Sequence, residues 1–425
     1  MSMKDPNLAF RSGRLLRLKD AVVASFSLPA EQVLARFEGF GLRDWERILY
    51  WLDISGLALY LLDRFAQLHL KGILPESIRL RLEQDLIENR TRNADLLQEA
   101  SAISHELDEH GVLHALLKGA TLTPESVPDG SLRSQTDLDF LIAANQGDAV
   151  KRILKEFGYA LRAVSGNTLE FKAGLLGKPD IRNMYRIHSL RSVEVHLIST
   201  SSVSTATGVN RLARASRRNC NGVMIPALSA ADAFIQQGEH LLKHLCGEHT
   251  RTSWVLEFCR HIQFRRNDAE FWNEVAFICE REPSADIAIA ASTHLATTLF
   301  GCVMPELCSL WRAERLPKAA RLWIDLYGRR VLYSDSPGNK LYLLLRRELS
   351  QSRESTAEAW RLVFPTHLPP RITRGNPEEA LPATLRRYRI EIDHILSRIC
   401  FHLVEGLRYA VESARWQRRV TETPR

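Results

Sequence analysis

The run Thr136-Asp137-Leu138-Asp139-Phe140-Leu141-Ile142 sets two carboxylates one residue apart inside an apolar stretch. Residues i and i+2 of a strand share a face, so the run predicts Asp137 and Asp139 projecting side by side. Thr136, Leu138, Phe140 and Ile142 then turn toward a core. Like charges at that separation raise each other's pKa unless a cation lies between them. Paired carboxylate oxygens suit Mg²⁺, which takes one or two carboxylates together with substrate phosphates. The pattern predicts a phosphate-handling metal site rather than two strand-end caps.

A third carboxylate lies in Ser192-Val193-Glu194-Val195-His196-Leu197-Ile198, whose β-branched alternation reads as another strand. Val193, Val195 and Leu197 share one face, and Glu194 and His196 share the other. If this strand lies beside the Asp137 strand, Glu194 completes a cluster able to hold two metal ions for in-line phosphoryl or nucleotidyl displacement. His196 is either support for that site or an ordinary hydrogen-bonded histidine.

Around these strands the periodicity predicts an α+β chain. It has a small mixed-sheet core at 96–205, a helical region at 1–95, and a second helical region with a basic tail at 206–425. Separate helices are expected at Ile78 to Leu86 and Leu97 to Glu109, with a strand from Val112 to Leu117. An amphipathic helix is expected from Gly147 to Phe157. Short strands follow near Tyr159 to Val164, Thr168 to Lys172 and Met184 to His188. Pro124, Pro128 and Gly130 mark the loop from Leu122 to Ser131 as a place for substrate approach.

The 425 residues carry a net charge of +7, which suits a polyanion such as a nucleoside triphosphate but is too mild to imply nucleic acid by itself. Arg211, Arg214, Arg217 and Arg218, and the C-terminal arginines from Arg386 to Arg419, have few aromatic neighbours. They read as a solvated basic face rather than an RNA surface. Seven cysteines without a Cys-x-x-Cys pair predict reduced thiols in a cytoplasmic protein. The apolar stretch from Ala285 to Met304 contains Asp286 and His294, so it predicts a buried helix rather than a membrane span. His240 and His244 share a helix face, but there is no His-Glu-x-x-His pattern and no matched ligand pair upstream. That helix is expected across the mouth of the nucleotide site, with Lys243 or His244 near phosphate.

The ordered set Leu117-Lys118-Gly119, Arg133, Asp137-Leu138-Asp139, Phe157-Gly158-Tyr159 and Val193-Glu194-Val195-His196 resembles the bacterial uncharacterised nucleotidyltransferase family. That family belongs to the polymerase-β-like nucleotidyltransferase superfamily. The resemblance is sharp over roughly residues 98 to 200. It implies a Mg²⁺- or Mn²⁺-dependent enzyme that moves a nucleoside monophosphate from an NTP to an unidentified small-molecule, peptide or protein acceptor. Asp137 and Asp139 would hold the metals. Glu194 would complete the cluster and help deprotonate the acceptor hydroxyl. Lys118, Gly119 and Arg133 would bind the triphosphate. Many superfamily members carry Gly-Ser on the first strand-to-helix turn, where this chain reads Lys118-Gly119-Ala120-Thr121. That departure also allows a non-catalytic nucleotide-binding scaffold. An RNA-modifying transferase is a third reading, with nucleic acid not favoured and no membrane partner expected.

Overall fold

The computed structural model describes residues 6–174, 185, 191–198, 210–305, 315–350, 356–369 and 380–422. Seven strands form one mixed sheet: β1 (His114–Leu117), β2 (Leu138–Ala143), β3 (Ala160–Ser165), β4 (Thr168–Ala173), β5 (Arg191–Ile198), β6 (Ser216–Cys220) and β7 (Val223–Ala227). Their order is β3-β4-β5-β2-β1-β7-β6. β2 runs antiparallel to β1 and parallel to β5, so the carboxylate strands are neighbours as the sequence expectation required. A parallel pair needs a crossover. The Gly147–Glu156 helix and the β3–β4 hairpin occupy that stretch of chain.

Alternation decides which face each strand buries. Leu138, Phe140 and Ile142 of β2 and Val193 and Val195 of β5 enter one apolar cluster beneath the Gly147–Glu156 helix and the end of the Glu76–Glu109 helix. Thr136 departs from the expected core face. It precedes β2 and is exposed. β6 and β7 fall in a stretch expected to be helical. They form a short hairpin through Asn221 and Gly222, both at positive φ, and β7 pairs with central β1. The expected strand from Met184 to His188 lies outside the described residues, apart from Tyr185, which sits buried in a turn.

The helices expected separately at Ile78–Leu86 and Leu97–Glu109 are one 34-residue helix, Glu76–Glu109. The polar residues between them resemble an interruption in the sequence. Here Asn89 is fully buried and donates to the carbonyls of Ser131 and Arg133, at 2.6 and 3.1 Å. Asn93 donates to Gly130 and Arg133, at 2.6 and 2.9 Å. The apolar pattern breaks because this helix holds a loop there. Helices before and after the sheet share one core that includes Trp45, Phe234, Trp272, Trp323 and Trp416.

Among the arginines after β5, Arg211, Arg214 and Arg218 are not a solvated face. Arg211 pairs with Glu239 at 2.7 Å, Arg214 with Asp232 at 3.0 Å, and Arg218 with Glu125 at 2.9 Å. Arg217 pairs with Asp108. The charges of Arg211, Arg214 and Arg218 are spent on partly buried partners, whereas Arg217 and Asp108 pair at the surface. Among the described residues, no helix is long and apolar enough to cross a membrane.

A further buried cluster makes stability depend on pH. Asp53 and Asp85, 2% and 1% exposed, share Arg81: Nη2 lies 2.9 Å from Asp53 and Nε 2.8 Å from Asp85. Burial, with Asp85 adding to it, outweighs Arg81 and pushes the Asp53 carboxyl up to about 6. The folded state therefore binds this proton more tightly than the unfolded chain. The stability it contributes is present in acid and lost as pH rises through 6. Asp53→Asn is expected to exceed wild type in stability at pH 8 by about 1–3 kcal/mol, with the gap closing near pH 4. Urea unfolding at the two pH values measures it, and an equal difference at both would refute it.

Candidate active site

The register places the carboxylates. Asp139 is the direct partner of Glu194 across β2 and β5, and of Leu117 across β1. The end of β1 and the start of β2 thus meet at one end of the sheet. Lys118 follows β1 with φ 51° and ψ −156°, a region that side chains other than glycine rarely occupy. Its ammonium lies 3.1 Å from Asp139 Oδ1. Backbone strain of this kind costs about 1–3 kcal/mol and gathers at functional sites. Gly119 follows at φ 48°, and a Cβ there would fall 2.2 Å from Gln135 Nε2. Gln135 in turn donates to the Asp137 carbonyl at 2.9 Å. The close approach at Gly119 is thus made by the side chain that braces the Asp137 backbone.

His196 Nε2 donates to Asp139 Oδ1 at 2.9 Å and lies 3.7 Å from Glu194 Oε2. Ligand atoms of Asp139, Glu194 and His196 all lie within 4.8 Å of one another, the tight set that fits a metal ion among the described residues. Asp137 is outside that set and immediately precedes β2, though it lines the same cleft. His196 belongs to the site, and only the strand register distinguishes that from a solitary histidine.

The electrostatics are asymmetric. Burial raises Asp139, but hydrogen bonds from His196 and Lys118 outweigh it and hold the carboxyl well below the usual range. Burial and then the Asp139 charge raise Asp137. Burial followed by both aspartates raises Glu194. Each raised group favours a proton or a cation.

The cleft over these carboxylates encloses 240 Å³. One water needs roughly 10–15 Å³, so a polyatomic ligand has room here. Its opposite wall comes from the Ala230–Leu245 helix, through His240, Lys243 and His244, and from Arg251 and Trp254 at the start of the Thr252–Phe264 helix. Lys243 and His244 line the cleft, on the helix expected across its mouth. His240, His244 and Trp254 form a ring trio with centroids 4.4 to 4.7 Å apart. Burial, followed by neighbouring lysines, drives His244 down to about 4. That favours a neutral ring and argues for packing.

Arg133 lines the cleft, but its Nε lies 3.3 Å from Glu257 Oε2, a carboxylate 1% exposed that also accepts from Tyr60 at 3.0 Å. Part of its charge is therefore neutralised from behind. Arg251 was not singled out in the sequence, where it is one arginine among many. It stacks over Trp254 at 5.6 Å. Among the described residues, it has no ion-pair partner.

The model of a family described as "Uncharacterised nucleotidyltransferase" matches residues 42–301, well over half of the chain. The chain belongs to this family. The match extends beyond the sheet on both sides. It takes in the Glu76–Glu109 helix that holds the loop before Asp137 and the two helices that supply Lys243 and Arg251. Among solved structures, an antigenic nucleotidyltransferase-like protein from Paracoccidioides brasiliensis is 15% identical, covering 45% of this chain and 90% of that one, with a TM-score of 0.28. No curated protein matches the chain.

Proposed function

We propose that this member of the family is a cytoplasmic, divalent-cation-dependent nucleotidyltransferase with a polymerase-β-like core at 96–205 between helical regions at 1–95 and 206–425. It transfers a nucleoside monophosphate from an NTP to a small-molecule, peptide or protein acceptor. The observation that carries this reading is the register of Asp139 against Glu194, on the floor of a cleft whose far wall presents Lys243 and Arg251. Carboxylates face cations across a space large enough for a polyphosphate.

Asp137, Asp139 and Glu194 hold the cation. Bound there, a divalent ion supplies charge neutralisation at the transferring phosphate and lowers the pKa of the acceptor hydroxyl. Glu194, which burial and both aspartates push above the usual carboxylate range, would also take the acceptor's proton. Lys118, whose ammonium lies 3.1 Å from Asp139 Oδ1 and lines the cleft, would contact a phosphate oxygen. Gly119 keeps the turn open beside it. Arg133, steadied by Glu257, presents its remaining guanidinium edge to the triphosphate.

The test is transfer of label from each α-phosphate-labelled NTP, with Mg²⁺ or Mn²⁺, into cell extract. Wild type is run beside Asp137→Ala/Asp139→Ala. Label entering a product with wild type alone supports nucleotidyl transfer, and the labelled species defines the acceptor class. Triphosphate binding that is unchanged in the double variant, with no transfer by either protein, would overturn the mechanism in favour of a nucleotide-binding scaffold.

A further inference from the structure

Three carboxylates are proposed to hold the cation, whereas the tight set replaces Asp137 with a nitrogen. His196 Nε2 sits between Asp139 Oδ1, at 2.9 Å, and Glu194 Oε2, at 3.7 Å. Strand period puts Glu194 and His196 on one face of β5, and the register sets Asp139 beside them, so one ion could reach all three. The other ring nitrogen is also provided for. β4 pairs with β5 so that Thr168 stands directly opposite His196, with Oγ1 3.3 Å from Nδ1.

A hydroxyl both donates and accepts, so Thr168 serves either imidazole tautomer. With Nε2–H donated to Asp139, Thr168 donates to Nδ1. When Nε2 is needed as a lone pair, Nδ1–H donates to Thr168, the arrangement that orients metal-ligating histidines. The tautomer changes with no movement of the ring. Strand register supplies all four residues: Asp139 from β2, Glu194 and His196 from β5, and Thr168 from β4.

We infer that His196 is a direct ligand, through Nε2, and that this site selects a nitrogen-accepting transition ion over Mg²⁺. The inference rests on the proposed cation site and adds the donor set that decides which ion it takes. Mg²⁺ is a hard ion that keeps its waters and favours oxygen, so an imidazole in its shell is a poor partner. First-row transition ions accept imidazole and carboxylate together. Mn²⁺ suits carboxylates and tolerates nitrogen. It is also paramagnetic, which makes it the probe.

The experiment is pulsed EPR of Mn²⁺ bound to the full chain, prepared at natural abundance and with ¹⁵N-histidine, beside Mn²⁺ and Mg²⁺ titrations. Wild type is expected to show a nitrogen coupling that converts on ¹⁵N-histidine labelling, and to bind Mn²⁺ at least about 10-fold more tightly than Mg²⁺. His196→Gln is expected to lose the coupling and to weaken Mn²⁺ binding about 10- to 100-fold, with Mg²⁺ binding little changed. Thr168→Val is expected to keep the coupling and weaken Mn²⁺ binding by about 10-fold. The labelled wild type separates nitrogen from oxygen ligation even if a variant fails to fold. Mn²⁺ bound in an Asp139-dependent way without nitrogen coupling overturns the inference and leaves the carboxylate site standing. Coupling that persists in His196→Gln overturns the assignment and moves it to His240 or His244. Absence of Mn²⁺ and Mg²⁺ binding by wild type overturns the cation site itself, and the inference with it.

Discussion

Asp139→Asn is expected to lower nucleotidyl transfer roughly 10³-fold, the effect of losing about 4 kcal/mol of transition-state stabilisation at a metal-centred phosphoryl site. The amide keeps the shape of the side chain and one oxygen that still accepts from Lys118 and His196, so the fold is expected to persist. It removes one of the two carboxylate charges in the tight ligand set. Asp137→Asn is expected to lose less cation affinity, because Asp137 contributes to the cleft but not to that set. Transfer rates and Mn²⁺ titrations of the two variants, with circular dichroism as a folding control, measure both statements. Equal activity in wild type and Asp139→Asn would remove Asp139 from the chemistry.

The second large effect concerns stability behind the site. Glu257 is 1% exposed, accepts from Tyr60 and pairs with Arg133. Its charge, with that of Asp137, outweighs burial and raises the already high pKa of Arg133. Glu257→Ala leaves that guanidinium and the Tyr60 hydroxyl without their shared partner, and is expected to cost about 3–5 kcal/mol in urea unfolding. Replacing both partners, as in Arg133→Met/Glu257→Leu, is expected to recover most of that loss, since an apolar pair of similar volume is often neutral. If Arg133 also contacts the triphosphate, the double variant recovers stability without recovering NTP affinity. Recovery of both would make Arg133 a structural residue alone.

Local pattern carried much of the molecule. β2, β4 and β5 lie close to where alternation places them, because each buries one face in the same apolar cluster. The Gly147–Glu156 helix starts at its expected residue and ends one residue short of the expected end. The β6–β7 hairpin was hidden because its stretch read as part of a helical region with a solvated basic face, and only β1 gives those strands a sheet to join. The Glu76–Glu109 helix was divided in the sequence because Asn89 and Asn93 interrupt its apolar pattern. Their burial depends on a loop some 40 residues away, with separations of 37 to 44 in the four hydrogen bonds they donate.

The same boundary runs through the site. Spacing alone determined that Asp137 and Asp139 lie together, that Glu194 and His196 share a face, and that a turn with glycine follows β1. The shared face of Glu194 and His196 follows from a two-residue side-chain period, and the other two from residues adjacent in sequence. Tertiary structure decided the rest. It registered Glu194 and His196 against Asp139 and brought Lys243 and Arg251 across the cleft. It also spent part of Arg133 on Glu257 and drew Lys118 onto Asp139. Those relations join residues from 21 to more than a hundred positions apart. Sequence period sets the face a side chain takes, and only packing sets what that face meets.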